Sequence, residues 1–125
     1  MNNDELFLQG DELYEREEFG EAFNVFLKAA NNGDVSSMIR VASMYTCGEG
    51  IGCDYDKAIE WEIKAAKGGN ESALFNLGVT YRIKGDIRQS KYWFEKALDI
   101  GDSSAAMELA KLYLVSDKET DTVIR

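Results

Sequence analysis

Apolar and small residues recur three and four positions apart along most of the chain, a spacing that gathers them on one face of an α-helix. Leu74, Leu77, Gly78 and Tyr81 form one such set, and Trp93, Phe94 and Ala97 form another. The pattern predicts helices over residues 4–16, 19–31, 35–47, 55–67, 71–83, 87–99 and 103–115. The 125 residues contain no proline, where average usage would supply about six, so each helix can run uninterrupted.

The pattern also repeats. Lys28-Ala29-Ala30 with Gly33-Asp34 returns as Lys64-Ala65-Ala66 with Gly69-Asn70 and as Lys96-Ala97-Leu98 with Gly101-Asp102, at spacings of 36 and then 32 residues. A second phrase pairs a small residue with a large one a turn later: Leu77-Gly78 with Tyr81, Val41-Ala42 with Tyr45, Leu109-Ala110 with Tyr113, and more weakly Gln9-Gly10 with Leu13. The small residues belong where the two helices of a hairpin come closest. Gly33, Gly69 and Gly101 suit a left-handed helix end, and Asp34, Asn70 and Asp102 behind them suit the N-cap of the next helix. Gly85-Asp86 gives the same stop and start inside the third unit. One all-α repeat domain over 1–116 follows, with hairpins at 1–33, 34–69 and 70–101 and a half-unit at 102–116. Residues 117–125 are left as a tail or the stub of a further helix. From small residue to small residue across each hairpin the distances are 12, 16 and 12, so the second hairpin carries four extra residues.

Composition and charge narrow the function. With 14 Lys+Arg against 23 Asp+Glu the net charge is −9, which opposes nucleic acid and anionic membranes as partners. Residues 1–34 hold nine of the acids and two of the bases, 2 − 9 = −7. Histidine is absent, which removes the usual nucleophile–base pairs and His-ligated zinc. No catalytic residue, cofactor site or metal site is expected. Two cysteines, Cys47 and Cys53, are too few for a four-thiolate zinc site or a disulfide framework, and a reduced cytoplasmic setting fits them. They flank Gly48-Glu49-Gly50-Ile51-Gly52, close enough to bridge if the loop folds back, although unbridged thiols are the expected state. The opening residues, Met1 to Leu6, lack the basic and apolar regions of a secretion leader, and no run is long enough to span a bilayer. The glycine segment follows a helix, contains an acid and has no lysine where a phosphate would need one, so it reads as a hairpin loop.

These phrases resemble a known family. Ala73-Leu74 with Leu77-Gly78 and Tyr81, and Gly48-Glu49-Gly50-Ile51-Gly52 with Asp54, Lys57-Ala58, Trp61, Lys64-Ala65-Ala66 and Gly69, are similar to the Sel-one-like repeat, a relative of the tetratricopeptide repeat. Residues 37–73 match most completely, whereas the first and third units have tetratricopeptide-length hairpin loops. The resemblance implies a right-handed α-α superhelix, a solenoid of about three and a half hairpins. Its first helices would line a concave face, and its role would be to gather proteins into complexes.

The resemblance therefore directs attention to the groove positions Phe7, Ile39, Phe75 and Met107, with Arg40, Asn76, Arg82 and Lys111 around them. An exposed apolar stripe there would bury a partner's apolar residues, with Arg40 and Arg82 as charge anchors. The alternative is that these residues pack between neighbouring hairpins. Trp61, Trp93, Tyr45, Tyr81, Tyr113, Phe23 and Phe26 read as interhelix core. A second functional reading uses the acidic end: Asp11, Glu12, Glu15 and Glu18 would mask a basic toxin such as a nuclease, making the chain an inhibitor or immunity protein. Either way the expected partner is a protein or peptide, possible basic character included. The incomplete last unit leaves three expectations open: a tail folded over as a cap, a homodimer through the C-terminal end, or a chain cut from a longer protein.

Overall fold

The computed structural model describes the backbone of residues 1–124 and the side chains through Leu114. Seven helices are present among the described residues: α1 (Asn3–Glu15), α2 (Phe19–Asn31), α3 (Val35–Cys47), α4 (Tyr55–Lys67), α5 (Ser72–Lys84), α6 (Ile87–Asp99) and α7 (Ser104–Ile124). The first six lie within one residue of the ranges that apolar spacing predicts. The seventh does not stop near 115 but continues through Ile124. No glycine or proline follows Gly101, so nothing in the local sequence ends it. The tail expected at 117–125 is thus continuous with α7 as far as 124, and its side chains lie outside the described residues.

The breaks between helices have local causes. Gly69 sits at φ 95°, a conformation that costs a residue with a Cβ, and Asn70 behind it accepts from the Ala73 amide at 3.2 Å. Asp34 accepts from both the amide and the hydroxyl of Ser37. Asp86 and Asp102 cap α6 and α7 in the same way. Each cap satisfies an amide that the first helical turn leaves unpaired.

The chain divides into two compact units, Met1–Ala73 and Leu74–Arg125. In the first, Ala22, Phe26, Val41, Ala42, Met44 and Trp61 belong to one buried cluster, with α2 packed on both α1 and α3. Gly10 faces Phe26 so closely that a Cβ on it would lie 2.6 Å from the ring. The second unit repeats the arrangement: Phe94 is fully buried, and a Cβ on Gly78 would lie 2.6 Å from its ring. Between these two hairpins, Ala42 replaces the glycine and Glu62, buried, replaces the phenylalanine. Ring and glycine therefore go together, because a hairpin that inserts a ring has no room for a methyl opposite it.

The four extra residues of the second hairpin have a packing role. Glu49 accepts a hydrogen bond from the Tyr14 hydroxyl at 2.8 Å, and the Gly50 backbone lies against the Phe19 carbonyl. The loop between α3 and α4 is thereby seated on the turn between α1 and α2. Among the aromatic residues expected in the core, Phe23, Phe26 and Trp61 are buried and Tyr45, Tyr81 and Trp93 half-buried, but Tyr113 is 47% exposed. The reason lies on the preceding helix. Tyr45 packs edge-on against Phe23 at 5.2 Å, whereas the equivalent neighbour of Tyr113 is Lys91, whose ammonium stands 4.5 Å from the ring centre. A cation needs water, so the pair stays at the surface.

Candidate interaction surface

In the first unit the proposed groove positions lie on α1 and α3. Phe7 is half-buried and turned edge-on to Phe26 at 5.5 Å. Ile39 is also half-buried. Arg40 reaches across to Asp11 at 2.7 Å, and its guanidinium lies 4.7 Å from the Phe26 ring centre and 5.0 Å from that of Tyr14. It therefore braces α3 against α1, an arrangement in which the aliphatic stem covers apolar surface and the head keeps a partner. In the second unit Phe75 packs edge-on to Phe94 at 5.2 Å. Arg82 pairs with Glu108 of α7 and lies over the same ring at 5.7 Å. Lys111 approaches Glu108 at 3.6 Å. The Asn76 carbonyl accepts from the Thr80 hydroxyl at 2.9 Å.

Two of the four large apolar positions, Phe7 and Phe75, are therefore largely turned into their own hairpins, and both arginines already hold a carboxylate. Met107 is different, at 66% exposed. So is Leu8, beside Phe7, at 63%. At the acidic end Glu12, Glu15 and Glu18 are exposed and Asp11 is engaged by Arg40.

An open cleft of about 310 Å³ runs between α1 and the start of α3, lined by Asp4, Phe7, Leu8, Asp34 and Ser36. Phe7 and Leu8 are its apolar lining residues, and its charged lining residues are acidic. The family resemblance pointed to Phe7, with Leu8 beside it, but not to the cleft: Asp34 read as a helix cap, and one of its oxygens does cap Ser37. Asp4 and Ser36 carry no pattern that marks them; only the approach of two helices some 30 residues apart in sequence brings them to one place.

The Glu108 carboxyl is held below the usual glutamate range, first by the hydrogen bond from Arg82, then by the charges of Arg82 and Lys111, with burial opposing. A folded value below the unfolded one means that the pairing stabilises fully above the ordinary glutamate range and is lost as pH falls through the depressed value. The melting temperature should therefore drop below about pH 4, and Arg82→Gln should lessen that acid sensitivity. Circular dichroism melts of both proteins between pH 3 and 7 check it.

Among the described residues no group of three or more His, Cys, Asp or Glu could hold a metal ion, and no helix is long and apolar enough to cross a membrane. A contact between copies through the C-terminal end falls on side chains outside the described residues.

The family model of the Sel1 repeat matches residues 35–70 and 71–102, the second hairpin with its glycine loop and the third without it. The chain belongs to the Sel1-repeat family. Chitin synthase regulatory factor 4 of Schizosaccharomyces pombe is 34% identical over 85 residues, which are 67% of this chain and 13% of that protein. Several solved structures share the fold. One is c5321, a protective antigen of uropathogenic Escherichia coli displaying an SLR fold, at TM-score 0.76 and 24% identity, over 90% of this chain and 26% of that one. Another is the TPR2AB-domain:pHSP90-complex of yeast Sti1, at TM-score 0.76 and 20% identity, over 97% and 50%. The Sel1-repeat chain is thus an all-α helical-repeat protein of the solenoid class, and it spans only a fraction of the length of these relatives.

Proposed function

We propose that the chain is a non-catalytic interaction module that holds a protein or peptide against its first helices. The observation that carries the reading is the cleft between α1 and α3, where exposed Leu8 and half-buried Phe7 form an apolar lining beside Asp4 and Asp34. A basic side chain suits it, with its methylenes against Phe7 and Leu8 and its charge beside the two carboxylates. The strongly negative first 34 residues would steer such a partner in. Phe7, Ile39 and Arg40 would flank the bound segment in the first unit. In the second, Met107 would supply exposed apolar contact, with Phe75, Asn76, Arg82 and Lys111 around it. Repeats of this class in a complex, as in the yeast neighbour, support a partner-holding role.

A second reading keeps the exposed carboxylates of Glu12, Glu15 and Glu18 as the working surface, masking a basic toxin such as a nuclease. A cytoplasmic setting is part of both readings, since two cysteines are too few for a disulfide framework.

The two separate experimentally. With a partner captured from the source cell, Leu8→Asp should weaken binding by about tenfold or more under the first reading, and the triple change Glu12→Lys, Glu15→Lys, Glu18→Lys should leave most of it. The second reading expects the reverse, with affinity falling steeply as salt rises. A partner indifferent to both sets of changes refutes both.

A further inference from the structure

We propose that Cys47 and Cys53 are a dithiol that closes reversibly into an intramolecular disulfide by exchange with a small disulfide oxidant of the glutathione class. The backbone brings them together. Helix α3 ends at Cys47, and Gly48 turns the chain through a left-handed conformation at φ 70°. Five residues on, the chain comes back along the end of the same helix: the Asp54 amide donates to the Tyr45 carbonyl at 3.0 Å, and the Cys53 thiol donates to the Thr46 carbonyl at 3.4 Å. That carbonyl belongs to the peptide that joins Thr46 to Cys47. On the other side of Cys47, a Cβ placed on Gly48 would lie 3.5 Å from the Cys53 Cβ. Cys53 thus stands against the backbone on both flanks of Cys47. Beside them the Tyr55 hydroxyl is pushed above the ordinary phenol value, first by its hydrogen bond with Cys53, then by the charge of Cys53 and by burial, with Cys47 contributing least.

Both thiols are exposed and free, so a small oxidant can reach them. One cysteine thiolate attacks a sulfur of the oxidant, forming a mixed disulfide and releasing one thiolate. The second cysteine thiolate then attacks the protein sulfur of that mixed disulfide, forming the Cys47–Cys53 bond and releasing the other thiolate. Two electrons and two protons pass to the oxidant, which leaves as two thiols. The bond would tie the ends of the segment that carries Glu49 to Tyr14 and Gly50 to Phe19, so the oxidised state holds that loop on the first hairpin. This is independent of what the cleft between α1 and α3 binds.

Incubation of the reduced protein with oxidised glutathione, followed by acid quench and intact-mass measurement, tests it. The expected product has lost two hydrogens, has no titratable thiol, outnumbers glutathione adducts by about tenfold or more, and returns to the dithiol with excess reductant. Cys53→Ser should instead stop at one glutathione adduct. Stable adducts on the wild-type chain, disulfide-linked dimers, or two thiols still titratable at the end would each overturn the proposal.

Discussion

Phe94→Ala is expected to lower stability by about 3 to 5 kcal/mol, a fall in melting temperature of about 10 to 20 °C. The ring is fully buried. It meets Phe75 at 5.2 Å and the Arg82 guanidinium at 5.7 Å, with the Gly78 backbone against its face. Removing it leaves a cavity that a helix held by Ser90 cannot readily close, since the Ser90 hydroxyl donates to the Gly78 carbonyl at 2.6 Å and fixes α6 on α5. Urea denaturation followed by circular dichroism gives the number, and a loss under about 1 kcal/mol would contradict the packing described. The same contact has a complementary test. Gly78→Ala should cost about 1 to 3 kcal/mol from overpacking, partly offset by about 1 kcal/mol of better helix propensity. In a Phe94→Leu background that cost should shrink, because leucine withdraws the ring atoms that the methyl would strike.

The second large effect is expected at Gly50→Ala, about 2 to 4 kcal/mol. The residue sits at φ 75°, and a Cβ there would lie 2.2 Å from the Phe19 carbonyl oxygen and 2.9 Å from the Gly20 nitrogen. Both neighbours are backbone, so no side chain can swing away. The loop would have to lift from the first hairpin and break the bond from Tyr14 to Glu49. Gly52→Ala is the control: nothing lies within 4 Å of its Cβ position, so it should be close to neutral. Urea denaturation separates the two. Hydrogen exchange at the Asp54 amide, bonded to Tyr45, reports whether the loop has moved. Equal stabilities for the two variants would show that the loop does not pack as described.

Helix positions were legible in the sequence because their causes are local. Gly69 followed by Asn70, or Gly85 by Asp86, marks a stop and a start within a few residues of chain, and the structure places a left-handed glycine and a capping side chain at each. Gly78 as a point of close approach between two helices was legible from the repeat itself. Less could be read of the surface. Arg40 looked like a free anchor until the fold set it beside Asp11, 29 residues earlier, and Arg82 until it met Glu108, 26 residues later. Tyr113 shares the repeat position of Tyr45 but not its neighbour, and the exchange of Phe23 for Lys91 on another helix decides its exposure. The cleft beside Leu8 depends on how α1 and α3 approach, which no single helix encodes.

The most direct test of the interaction reading asks where a ligand sits. Peptides selected from a random displayed library against the folded chain provide the probe, and amide hydrogen exchange with and without a saturating selected peptide provides the footprint. The account predicts sequences in which Lys or Arg alternates with apolar residues, and protection concentrated on residues 4–8 and 34–40. Selection of acidic peptides, or protection confined to α2 and α4 with α1 and α3 unchanged, would contradict it.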